Sequence, residues 1–100
     1  MRGFEGNNIW HFLQVSSATR IGSIVRITVT NYATVDAMSG SLSYVLKDNS
    51  GNVGGSGTQT VTSIAASGTA QYDESWGTYT PTKVEWRWSG SLSYNQTNLT

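Results

Sequence analysis

The chain has no cysteine, a single proline, and only six basic and six acidic side chains in 100 residues. Without cysteine there are no disulfides and no zinc sites built on thiolates. Equal charges of both signs leave no electrostatic footprint for nucleic acid or an anionic lipid surface, so neither is expected as a partner. No apolar run approaches the ~20 residues of a membrane span, and the opening "MRGFEGNN" lacks the apolar centre of a signal peptide. Membrane insertion is therefore not expected. Solubility has to come from Ser, Thr, Asn and Gly, a polar but uncharged surface that suits an extracellular or cell-surface setting.

What the sequence does contain is a period of two. "SIVRITVTN" sends Val25, Ile27 and Val29 to one face and Arg26, Thr28 and Thr30 to the other. "SLSYVLKD" sets Leu42, Tyr44 and Leu46 against Ser41, Ser43 and Lys47, and "TKVEWRWSG" sets Val84, Trp86 and Trp88 against Lys83, Glu85 and Arg87. "GTAQYDESW" alternates less cleanly, with Ala70, Tyr72 and Trp76 in phase and Glu74 out of place. Turn-rich stretches, "NSGNVGGSG", "AASG" and "TYTPT", separate these segments. The pattern predicts strands over 9–16, 23–31, 40–47, 57–64, 69–76, 82–89 and 91–96. That is an all-β, immunoglobulin-like antiparallel β-sandwich of about seven strands. One domain spans 1–100, with 1–20 as an N-terminal strand or extension and 95–100 as a tail; a chain of this length buries roughly 65% of its unfolded surface. Pro81 falls just before a strand, where its missing N–H costs no ladder bond. The hexamer "SGSLSY" occurs at 39–44 and again at 89–94, but the flanks differ, and a reused strand-entry pattern explains it better than duplication.

"YVLKDNSGNV" resembles the F-x-L-Y-D signature and its following glycine turn, with Tyr44 for the aromatic and Lys47 for the second tyrosine. "IAASGTAQY" at 64–72 resembles the apolar-x-x-x-Gly-x-x-x-aromatic step that follows, and "VTN" closes the strand before it. Together residues 21–88 resemble the FxLYD domain and the related cell-adhesion domain (CARDB) of bacterial and archaeal surface proteins. That resemblance implies an immunoglobulin-like, non-catalytic extracellular module. It transfers no binding residues.

Alternating oxygens at Asp48, Ser50 and Asn52 invite comparison with a calcium loop. Such loops need six or more oxygen ligands and usually several carboxylates, and Asp48 is the only anion in the stretch. A turn is expected, with Gly51 at positive φ and no metal. No catalytic residues and no cofactor are expected either: His11 is the sole histidine, no G-x-S-x-G elbow exists, and Glu85 alternates with core tryptophans beside Arg87 and Lys83. Trp86 and Trp88 share the face of Val84 and belong to the core. Trp76 and Tyr79, in "SWGTYTP", are candidate carbohydrate contacts, which makes a glycan a candidate partner.

In "NIWHFLQV", Ile9, Leu13 and Val15 lie on one face and Trp10 and Phe12 on the other, so both faces are apolar. Two readings stand: the first strand of the chain's own sandwich with Trp10 partly exposed, or these five residues as the candidate contact with another protein chain, including a second copy in a homo-oligomer or filament. "NQTNLT" supplies two candidate glycosylation acceptors, Asn95 and Asn98. The expected function is a structural or adhesion module acting by surface complementarity and strand-edge pairing. The alternatives are a self-assembling filament, pilus or virion subunit, and a carbohydrate-binding module.

Overall fold

A computed structural model describes residues 12–100. Ile9, Trp10 and His11 lie outside them. The described chain forms seven strands: β1 (Leu13–Ile21), β2 (Ile24–Asn31), β3 (Met38–Lys47), β4 (Val53–Ile64), β5 (Thr69–Ser75), β6 (Lys83–Trp88) and β7 (Asn95–Asn98). They pair antiparallel in two sheets, ordered β1-β2-β5 and β4-β3-β6-β7. The chain therefore changes sheet between β2 and β3, β4 and β5, and β5 and β6, an immunoglobulin-like order in which β4 stays beside β3. Among the described residues no helix is long and apolar enough to cross a membrane.

The inner faces follow the alternation. Val25, Ile27 and Val29 from one sheet meet Leu42, Leu46 and Val84 from the other, and all six are fully buried. Each such side chain contributes about 1.5–3 kcal/mol relative to remaining exposed. Trp86 and Trp88 complete the core in an edge-to-face pair with centroids 6.5 Å apart. Their indole N–H groups are both satisfied: Trp88 Nε1 donates across the sandwich to the Leu13 carbonyl at 2.8 Å, and Trp86 Nε1 to Thr97 Oγ1 of the neighbouring strand at 2.9 Å. The one fully polar buried residue among the described residues is Asn31.

Both open sides of the sandwich are stitched. On one, Thr97 Oγ1 donates to the Val15 carbonyl and the Thr100 N–H to the Ala18 carbonyl, so the C-terminus ties β7 to β1. On the other, the Gly77 N–H donates to the Gly54 carbonyl at 3.0 Å, and Tyr44 Oη donates to Glu74 Oε1 at 2.6 Å. β4 can come this close because it is rich in glycine. A Cβ at Gly54 would strike the Tyr79 carbonyl, and one at Gly57 would sit 2.7 Å from both Glu74 Oε1 and Tyr44 Oη.

Three boundaries differ from the sequence expectation, each for a physical reason. β1 runs on to Ile21 because it pairs with β2 as far as Ile21 opposite Ile24, about a turn at Gly22 (φ 60°), and a bulge between Val15 and Ser17 shifts its phase, so Leu13, Val15 and Ala18 are the buried residues. β4 begins at Val53, inside the expected turn-rich stretch, since its glycines serve close approach and not only turning. The seventh strand is Asn95–Asn98, not 91–96, so most of the expected tail belongs to the sheet. A turn closed by the Ser91 N–H on the Trp88 carbonyl, with Gly90 at φ 98° inside it, opens the loop 89–94.

Candidate interaction surface

The stretch 48–52 is a turn closed on its own aspartate. Asp48 Oδ1 accepts from the N–H groups of Ser50 and Asn52, each at 2.9 Å, and Oδ2 accepts from Asn52 Nδ2 at 3.1 Å. The Asn52 side chain and then these backbone donors hold the Asp48 carboxyl below its ordinary range. Gly51 takes φ 86°. Among the described residues no three of His, Cys, Asp and Glu converge.

Three further acids are similarly engaged. Asp73 forms a two-pronged pair with Arg26 on the outer face of the three-stranded sheet, at 2.9 and 3.1 Å, which lowers its carboxyl through hydrogen bonding and charge. Glu85 pairs with Lys47 at 2.9 Å on the outer face of the other sheet. Glu74, the residue that breaks the alternation, accepts the buried Tyr44 phenol; burial first and then this bond push the Tyr44 pKa far up. Four of the six acidic side chains are thus committed to turns, sheet faces or the core.

The two most exposed large apolar side chains, Leu92 and Val35, lie elsewhere, together with Tyr32 and Tyr94, while Ile21, Val53 and Tyr79 are half-exposed away from them. The connections 32–37, 65–68 and 89–94 share one end of the sandwich, where β1 also begins. Buried Asn31 organises it. Its Nδ2 donates to the carbonyls of Asp36 and Ile64, both at 2.9 Å, and its Oδ1 accepts from the Ala33 N–H. The Ser67 N–H donates to the Ala33 carbonyl, joining two loops, and Ser67 itself holds φ 63°. On this frame Tyr32 and Val35 stand 54% and 82% exposed. At the third loop, Arg87 from the end of β6 lies 5.2 Å over the Tyr94 ring and donates to the Ser91 carbonyl at 3.0 Å. That leaves Leu92 97% exposed. A fixed frame carrying tyrosine, serine and one projecting leucine has the composition of a binding loop set.

The expected site residues are distributed differently. Leu13 and Val15 are buried in the domain's own core, and Phe12 packs partly against it. Ile9 and Trp10 fall outside the described residues. Trp76 is half-buried against the core, with its Nε1 buried and unpartnered, while Tyr79 alone is exposed. The two therefore do not present a pair of open rings. Asn95 and Asn98 are exposed on β7, where Asn98 Oδ1 accepts from Gln96 Nε2.

The chain matches no protein-family model, no curated protein and no solved structure. Function has to be read from these surfaces. The loop end was missed in the sequence because "SGSLSY" at 89–94 carries a strand pattern identical to the copy at 39–44. A signal was present in "VTN": an amide residue closing a buried alternation is a candidate scaffold for the loops beyond it.

Proposed function

We propose that the protein is a non-catalytic structural or adhesion module of an extracellular or cell-surface setting, with the loop end 32–37 and 89–94 as its working surface. The carrying observation is Leu92, almost wholly exposed on a loop braced by Arg87 and Tyr94. A large apolar group held in water by a fixed frame gains about 1.5–3 kcal/mol when a partner covers it. Tyr32 and Val35 extend the same end, and serine and glycine around them supply adaptable polar contacts. The resemblance to the FxLYD and CARDB domains points the same way, as does a surface made soluble by uncharged polar residues. The partner is a protein surface of low charge, because Asp36 is the only charged residue in the three loops.

The test is binding of the labelled full chain to envelope preparations of the source cells, compared with a Tyr32→Ser/Leu92→Ser variant of equal melting temperature. Binding by the native chain and at least about tenfold weaker binding by the variant are expected. Undiminished binding, or weakening by Tyr79→Ser instead, would take the function away from this end; the latter would favour a glycan contact at the opposite one.

A further inference from the structure

Four strands border their sheets: β1, β5, β4 and β7. Exposed edges invite pairing with other chains, and natural sheets blunt them by covering, shortening or charging them. β1 is covered, since the carbonyls of Leu13, Val15 and Ala18 accept from Trp88, Thr97 and Thr100. β7 is four residues long, and β5 carries Asp73 and Glu74. β4 is covered only at its start, where the Gly54 carbonyl accepts from the Gly77 N–H, and has none of these devices from Ser56 onward. It is 12 residues long, and from Val53 to Ile64 it holds no charge and no proline.

The register shows which groups are open. The Thr82 and Ser89 N–H groups donate to the carbonyls of Lys47 and Ser41, so the odd-numbered residues of β3 turn their main chain to β6. Leu42, Tyr44 and Leu46 therefore pair with Gln59, Gly57 and Gly55 of β4. Ser56, Thr58 and Thr60 aim their N–H and carbonyl groups away from the sheet. Among the described residues no main-chain group outside the ladder bonds to them, and only Gln59 Nε2, at 3.4 Å, reaches the Thr60 carbonyl.

We propose that this β4 edge of one copy receives residues 6–11 of a second copy as an added strand, linking chains head to tail. The segment "GNNIWH" is uncharged, like the edge, and its six residues match the regular run 55–61 within one. Ile9 and Trp10 fall on opposite faces of an added strand. One of them lies toward Ala70 and Tyr72, which are only partly buried on the inner face of β5, across the sandwich from β4. The segment is joined to the described domain at Phe12, just before β1, on the seam opposite β4, so the edge of a neighbouring copy is the acceptor we assign. Donor and acceptor are different surfaces, and the contact is heterologous: it builds rings or filaments, not closed pairs. It is independent of the loop end.

The test uses the full chain. Light scattering against concentration should show growing mass, and the amides of Ser56, Thr58 and Thr60 should exchange at least about tenfold more slowly as it grows. Thr58→Pro removes an edge N–H without removing a bond to β3, and Thr60→Lys charges the same edge if the proline variant folds poorly. Either should abolish growth, as should Ile9→Asp/Trp10→Asp on the donor side. A mixture of an edge variant with the donor variant should stop at a one-to-one pair, since one free donor meets one free edge. A strictly monomeric native chain would overturn the proposal. So would protection of the three amides at every concentration (the chain's own segment), or growth that survives the donor variant (pairing of β4 with β4).

Discussion

Tyr44 donates its phenol to Glu74 across the interior, and the two protonation states of that phenol differ widely in free energy there. Burial and the bond to Glu74 both favour the neutral form, so the folded pKa lies above the unfolded value of 10.0. The stabilisation is complete below that value and is lost as pH rises above it, because the unfolded chain releases the proton first. Stability should fall from about pH 10 upward. Tyr44→Phe should flatten that decline and cost about 1.5–3 kcal/mol at neutral pH, the range for a hydrogen bond to a charged group. Urea unfolding of both proteins between neutral and alkaline pH checks this; equal alkaline slopes would mean that the phenol titrates freely. Tyr72, also pushed up by burial, leaves a residual slope in both. Half of this pair was legible in the sequence. Glu74 stood out as a break in alternation, but its partner lies 30 positions away in the other sheet, and periodicity along one strand carries no information about pairing across layers.

The two copies of "SGSLSY" show how little six residues decide by themselves. In β3 the first copy buries Leu42 completely between strands on both sides; in the second, Leu92 is 97% exposed in the loop opened by the turn around Gly90. Pairing neighbours make the difference, as β3 lies inside its sheet and 89–94 passes between β6 and its edge strand. The strands with unbroken alternation, β2, β3 and β6, were legible nearly to their ends. β1 was not, because its bulge resets the phase, and the start of β4 was not, because glycine signals turns and close approaches alike. The latter meaning is testable. Gly57→Ala puts a methyl 2.7 Å from two oxygens that already bond each other, and should cost about 1–3 kcal/mol. Gly77→Ala meets nothing within 4 Å and should change stability by less than about 0.5 kcal/mol. Similar losses in urea melts would mean that the contact at Gly57 does not set its cost.

Two layers with one core were readable because three strands displayed a clean apolar face, and faces of that kind must be covered. The loop surface was not, since exposure depends on which loops meet at an end, and that follows from strand order. The same holds for the seam between β1 and β7, where one hydroxyl serves both layers. Thr97 Oγ1 accepts from Trp86 Nε1 at 2.9 Å and donates to the Val15 carbonyl at 3.2 Å, a carbonyl at the bulge of β1. Thr97→Val preserves the shape and removes both bonds, leaving a buried indole N–H and a strand carbonyl without partners. Each unsatisfied group costs about 1–3 kcal/mol, so the variant should lose about 2–6 kcal/mol. Thr19→Val is the control: its hydroxyl pairs with Thr100 at the exposed rim of the same seam and should cost less than about 0.5 kcal/mol. If both substitutions cost the same small amount in urea unfolding, water reaches the Thr97 site and the sheets are held by apolar packing alone. A large loss at Thr97 only would establish that the C-terminal strand locks the two layers as well as lengthening one of them.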